Sequence, residues 1–176
     1  GKYVAVIEPP TRAGTAVARD FVKAGTLIRA EKALSEAVKA ATTTLRGVST
    51  FGDLATLKPL QPQLVGQDRG AYYLVPFAAP NAPPTMAVLI NAYSGEFLEA
   101  ARFRARPMLL SNEDAVSRAG VLLPHVKRGD LKATLVRDGD SPYFPSWRVT
   151  AGEAEVVVDN AGIVRRALPT KPIPIP

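Results

Sequence analysis

Between Leu27 and Leu45 the apolar residues Leu27, Leu34, Val38, Ala41 and Leu45 recur at helical spacing, while Arg29, Lys32, Glu36, Lys39 and Arg46 fall elsewhere around the wheel. The pattern predicts an amphipathic helix that runs to about Arg46 and stops at Gly47. Ahead of it, Tyr3-Val4-Ala5-Val6-Ile7 is β-branched and aromatic and is closed by Glu8-Pro9-Pro10, which predicts a short strand. A shorter helix is expected from a Thr15 cap to about Lys23, with Val17, Phe21 and Ala24 on one face and Gly25 as its stop.

After Gly47 the period becomes that of strands. Residues 48–57 form a strand candidate, and 58–70 read as a connection broken by proline and glycine. Tyr72-Tyr73-Leu74-Val75-Pro76-Phe77 and Met86-Ala87-Val88-Leu89-Ile90-Asn91 predict two strands joined by a proline-bearing loop. Ser94-Gly95 then turns the chain into Glu96-Phe97-Leu98-Glu99-Ala100, giving an antiparallel meander.

The pattern then begins again. Ser111 followed by Asp114 has the spacing of a capping box and opens a short helix through Ala115, Val116 and Ala119 to Gly120. Leu131 to Val136 predicts a strand, and Asp138-Gly139-Asp140 a hairpin turn. Trp147-Arg148-Val149-Thr150 and Glu155-Val156-Val157-Val158-Asp159 predict two more, and Ala161-Gly162 turns into Ile163-Val164-Arg165-Arg166. The stretch from Ala87 to Phe97 lies over Ala154 to Val164 at one constant offset without gaps, and each is preceded by an aromatic strand, Tyr73-Leu74-Val75 or Trp147-Arg148-Val149. Gly52-Asp53-Leu54 and Gly129-Asp130-Leu131 echo one another upstream. The expected class is α+β, with two tandem helix-plus-antiparallel-sheet units. Each is too small for a sufficient core of its own, so the two share or abut cores.

Composition changes this picture little. Hydrophobic residues are 47% and charged residues 22% of 176, the balance of a globular chain. The longest apolar runs are far shorter than the roughly 20 residues needed to span a bilayer as a helix. Sixteen prolines, about twice the usual share of ~5%, gather at 58–62, 76–84 and 169–176, which marks connections and a tail. The net charge of +6 and a pI near 9.8 raise the question of a polyanionic partner. Only Arg102-Phe103-Arg104-Ala105-Arg106, Lys127-Arg128 and Arg165-Arg166 cluster, and the alternate arginines of the first fall on one face of a strand, which favours a solvated basic face over a nucleic-acid footprint.

The chain contains no cysteine, which removes thiolate metal sites, disulfides and thiol nucleophiles together. His125 is the single histidine, so histidine-cluster metal sites are ruled out and a serine triad would depend on this residue alone, with no G-x-S-x-G elbow to serve it. Neither phosphate-cradling glycine motif is present. The carboxylate pairs Asp138 with Asp140, Glu96 with Glu99, and Glu113 with Asp114 are sequence neighbours of the kind found in turns. Asp138-Gly139-Asp140 has too few oxygen ligands in register for an EF-hand loop. No catalytic residue, metal ligand or cofactor is therefore assigned.

The aromatic strand Ala71-Tyr72-Tyr73-Leu74-Val75-Pro76-Phe77 followed by Val88-Leu89-Ile90-Asn91-Ala92-Tyr93-Ser94-Gly95-Glu96-Phe97 resembles the PepSY and PepSY-like domains of exported bacterial proteins. Asn91 with Gly95, and Asp159 with Gly162, stand at the Asp/Asn and turn-glycine places of that motif. The resemblance implies a cystatin-like helix on a curled sheet, a periplasmic or secreted location, and a regulatory role toward peptidases. With Gly at position 1, any export signal is expected to be already removed. On this reading residues 1–105 are a first PepSY-like unit with an N-terminal strand and helix extension, 106–168 a second, and 169–176 a proline-rich tail. The long proline-rich insertions, the extra N-terminal 30 residues and the lack of a membrane segment depart from many members.

The resulting expectation is a non-catalytic extracytoplasmic binding or regulatory module acting on a protein or peptide. Its candidate surface is Tyr72, Tyr73, Tyr143, Trp147 and Arg148, where an exposed ring beside a guanidinium would stack and hydrogen-bond. One of Tyr72 and Tyr73 is expected in the core and the other exposed or under a helix, because neighbours in a strand face opposite ways. Two alternatives stand beside this: a small apolar or anionic ligand held between helix and sheet, and a nucleic-acid or acidic-polymer binder using Arg102, Arg104 and Arg106.

Overall fold

The computed structural model describes residues 4–7, 26–67, 70–104 and 110–166. Within them lie strand β1 (Val4–Ile7), helix α1 (Ala30–Thr42) and two 3-10 turns, Ser49–Phe51 and Leu54–Thr56. Strands β2 (Lys58–Pro59), β3 (Gln63–Gln67), β4 (Gly70–Ala78), β5 (Met86–Asn91) and β6 (Phe97–Phe103) follow. The rest is helix α2 (Asn112–Ala119), a 3-10 turn at Arg128–Asp130, and strands β7 (Lys132–Val136), β8 (Ser146–Ala151), β9 (Ala154–Val158) and β10 (Val164–Arg166). The molecule is mixed α+β with a mostly antiparallel sheet. The helix expected at residues 15–23 lies outside the described residues. No described helix is long and apolar enough to cross a membrane.

All ten strands belong to one sheet in the order β1-β6-β5-β4-β3-β7-β8-β9-β10, with β2 paired to β4. Two pairings are parallel, β1 with β6 at one edge and β3 with β7 in the middle. The central seam is narrow: Gly66 faces Val136, and the Arg137 N–H donates to the Gly66 carbonyl at 2.9 Å.

α1 covers one face of the first half of the sheet, where Ala33, Ala37 and Ala40 pack with Tyr73, Val75, Val88 and Ile90. α2 covers the second half, where Ala115, Val116 and Ala119 pack with Val149, Val156 and Val158. The two helices lie on opposite faces. Trp147 belongs to the α2 cluster and also to the cluster of Tyr72, Leu74 and Val65, the face of the first half that α1 leaves open. That open face is closed by Tyr143 and Phe144 from the β7–β8 connection, whose rings lie 6.2 and 5.7 Å from Phe103. With both faces covered, β4 is buried from Ala71 to Ala78 and shows no apolar-polar alternation.

Several expectations change. The α1 stripe is narrower and smaller than Leu27, Leu34, Val38, Ala41 and Leu45 suggest: Leu27 and Val38 are 40% and 39% exposed, and the contact is made by alanines. Alanine lets the helix axis approach a sheet already crowded by Tyr73 and Val75, and larger residues serve at its flanks. Residues 48–57 are not a strand, because Phe51 and Leu54 are buried three residues apart, the spacing of 3-10 turns. Residues 58–70 hold β3, whose Gln-Leu-Val-Gly-Gln sequence is ordered by antiparallel pairing with Gly70 to Leu74. The β7–β8 link is no tight hairpin at Asp138–Asp140; it runs over 137–145 and buries Tyr143.

The predicted capping geometry of α2 is present, with Ser111 Oγ accepting from the Asp114 N–H at 3.1 Å. The two meander turns share their chemistry but not their length. Asn91 Oδ1 accepts from the N–H groups of Tyr93 and Ser94, and Asp159 Oδ1 from those of Ala161 and Ile163. Each turn ends on a left-handed glycine, Gly95 or Gly162. Three residues separate Asn91 from Gly95 and two separate Asp159 from Gly162, so the gap-free overlay slips by one residue inside the turn.

Candidate binding cleft

The five residues expected to form a surface do not gather into one. Tyr72 is fully buried and its hydroxyl donates to the Pro142 carbonyl at 2.7 Å. Tyr143 is fully buried in the same cluster, with its hydroxyl beside the buried Glu99 carboxyl but outside hydrogen-bond geometry. Burial, and then the neighbouring Glu99, push the Tyr143 phenol well above its ordinary value; burial does the same for Tyr72. Tyr73 lies on the opposite face under α1 and donates to the Ile28 carbonyl at 2.7 Å. Trp147 is half-buried with its indole N–H on the Leu110 carbonyl, and the dent beside it, about 10 Å³, has room for no more than a water. Arg148 alone is exposed, on the other face of β8 from Trp147, and its Nε meets Glu155 Oε1 at 2.6 Å. These rings are core because the sheet is covered on both faces there.

The basic cluster is also divided. Arg102 reaches Asp53 through two contacts, Nη1–Oδ1 at 2.7 Å and Nη2–Oδ2 at 3.0 Å, and places Nη1 3.4 Å from the Thr50 carbonyl. Its charge is engaged within the fold. Arg106 lies outside the described residues, so the three arginines do not form a described face. His125 is exposed in the turns that follow α2. Among the described residues no three His, Asp or Glu side chains are grouped to hold a metal ion.

A concave site lies elsewhere, where α1 ends. A half-open cleft of about 520 Å³ is lined by the last turn of α1, the loop through Gly47 and the two 3-10 turns. Its floor is apolar: Leu45, Phe51 and Leu54 are all buried. Its rim is polar, with Thr42, Arg46 and Ser49 exposed to solvent. Local sequence explains the shape. The hydroxyls of Thr42 and Thr43 bond back to the carbonyls of Val38 and Lys39 and close the helix, and Gly47 at φ 81° reverses the chain. The 3-10 turns then return Phe51 and Leu54 toward Leu45. Arg102 clamps the segment to β6 through Asp53, and this hydrogen-bonded guanidinium holds the Asp53 carboxyl below its ordinary value.

The sequence reading missed this cleft. The signal lies in Leu45, Val48, Phe51 and Leu54, an apolar series three residues apart punctuated by Gly47 and Gly52, but the helical stripe claims Leu45 and a strand period claims the other three. Comparison of the chain with protein-family models, with curated proteins and with solved structures finds no match.

Proposed function

We propose that this chain is a non-catalytic binding module, acting outside the cytoplasm, that receives an apolar side chain of a peptide or protein partner in the cleft at the end of α1. The observation that carries the reading is the cleft: about 520 Å³, with a floor of Leu45, Phe51 and Leu54 and a polar rim. A few polar groups around an apolar hollow is the usual make-up of a recognition site. Burying one large apolar side chain there contributes about 2 kcal/mol, short of the roughly 4 kcal/mol of even a millimolar complex. The remainder must come from the rim, where Arg46 offers a guanidinium to a carboxylate or carbonyl.

The module is read as two diverged PepSY-like units, 1–105 and 106–168. Their likeness in register supports this. Tyr73 pairs with Ile90 and Val75 with Val88 under α1, while Trp147 pairs with Val158 and Val149 with Val156 under α2. Four successive antiparallel strands follow the helix of each unit, β3–β6 after α1 and the two-residue β2, and β7–β10 after α2, and β3 and β7 meet in parallel. The resemblance to PepSY domains adds export and a regulatory role toward peptidases to the proposal.

A small amphipathic ligand is the second reading, favoured by a cleft volume inside the range of about 300–1,000 Å³ found for small-molecule sites. An anilinonaphthalene sulfonate dye tests both. Its fluorescence is expected to rise and saturate on the folded chain and to lose at least ~10-fold in affinity in Ala55→Phe, which fills the cleft. Displacement by a short Phe-containing peptide supports the first reading, and displacement by decanoate alone supports the second. A dye that binds Ala55→Phe as well as the parent chain sinks both.

A further inference from the structure

We propose that the outer edge of β6 is a strand-acceptor site, filled in one copy by the chain's own β1 and able to take the same segment, residues 4–7, from a second copy in a reciprocal exchange. β6 has the composition of an interior strand: Leu98 to Ala101 and Phe103 are buried, and one of its edges is fully paired with β5. The other edge would carry an open row of N–H and C=O groups beside apolar side chains, an arrangement that invites pairing with another chain. β1 covers it with Val-Ala-Val-Ile in parallel register, Val4 on Ala101, Val6 on Arg102 and Ile7 on Phe103. The far edge of the sheet needs no such cover, because β10 is three residues long and carries Arg165 and Arg166.

The connection is longer than cis pairing requires. Ile7 stands beside Phe103, at one end of β6, and Ile28 is fixed at the other, its N–H donating to the Ala92 carbonyl in the β5–β6 turn at 2.8 Å. The length of β6 amounts to about 23 Å. Residues 8–27 span up to about 65 Å when extended. Chain length therefore does not confine β1 to its own β6. The same ladder bonds form within one copy or between two, so protein concentration decides the balance.

The chain has no cysteine, so introduced ones report without background. Full-length Val4→Cys and Ala101→Cys chains are unfolded together and refolded with oxidised glutathione. A disulfide-linked heterodimer is expected. Its ratio to monomer should rise about 10-fold for a 10-fold increase in refolding concentration, and the dimer should disappear when Val6→Pro is added to the donor chain. The chain carrying both cysteines is expected to close its bond internally at low concentration. Ile7→Cys with Phe103→Cys, also register partners, repeats the test if Ala101→Cys prevents folding. The proposal is overturned if the doubly substituted chain closes its bond while no heterodimer forms at any concentration. It is equally overturned if that bond never closes, or if the heterodimer persists undiminished with Val6→Pro.

Discussion

Arg102 and Asp53 meet in a two-point ion pair that ties the outer wall of the cleft to the sixth strand, with N···O distances of 2.7 and 3.0 Å. The guanidinium lowers the Asp53 carboxyl below its ordinary value of 3.8, so the folded state binds its proton less tightly than the unfolded state does. The stabilisation is present above that ordinary value and is lost as pH falls through the lowered one. The side chains are 34% and 44% exposed to solvent, so the pair contributes no more than about 1 kcal/mol. Asp53→Asn is expected to lower urea stability by that amount at neutral pH, with the difference from the parent vanishing in acid. A difference that stays undiminished however far the pH falls below that ordinary value would contradict the assignment.

Alanine at position 37 is a distance constraint. It is fully buried between α1 and the strands bearing Tyr73 and Val88, so Ala37→Leu is expected to cost about 1–3 kcal/mol in denaturant unfolding by forcing the helix off the sheet. Val38→Ala, one position away on the solvent side, is expected to stay within about 0.5 kcal/mol. Equal costs at the two sites would mean the helix is turned differently.

Two buried phenols differ in what their hydroxyls do. Tyr72 donates to Pro142, so Tyr72→Phe leaves a buried carbonyl without that donor and is expected to cost about 1 kcal/mol. The Tyr143 hydroxyl sits beside Glu99 without a hydrogen bond, so Tyr143→Phe is expected to be neutral or slightly stabilising. Both phenols are raised above 10 in the folded state, which therefore keeps protons that the unfolded state releases. Stability falls as pH rises past about 10. In a spectrophotometric titration these two tyrosines should ionise only together with loss of the near-ultraviolet circular dichroism. Gradual ionisation in the folded state would count against their burial.

Gly162 has two reasons to be glycine. Its φ is +81°, and a Cβ there would lie 2.7 Å from Arg118 Nη1. The guanidinium can move aside, but the backbone angle cannot be relieved that way. Gly162→Ala is expected to cost about 1–2 kcal/mol in thermal or urea unfolding. Adding Arg118→Ala should recover only a minor part; full recovery would assign the cost to the side-chain contact.

What could be read along the chain was local. Ser111 and Asp114 announced their cap, and Tyr72 to Phe77 and Met86 to Asn91 announced two strands, because hydrogen-bond geometry and apolar runs act over a few residues. β3 was hidden, since Gln63, Gly66 and Gln67 are poor strand formers and the segment gains its order from Tyr72 and Tyr73 next to it. The alternation of Tyr72 and Tyr73, one in the core and one under a helix, is legible in the strand period, but the burial of Tyr143 is not. Nothing near Tyr143 in sequence reveals that its loop folds back onto Phe103.

The sequence by itself determined the class of the fold, most of its strands, the paired turns at Asn91 and Asp159, and the absence of thiol chemistry. Tertiary structure alone decided that the two halves join through Gly66 and Val136 into one sheet with helices on opposite faces. It also decided that Leu45, Phe51 and Leu54 line a cleft rather than a strand face. The physical reason is range. Turns and periodicity are settled by neighbours in the chain, whereas burial depends on which distant segment covers a surface, and that is fixed only when the segments have packed.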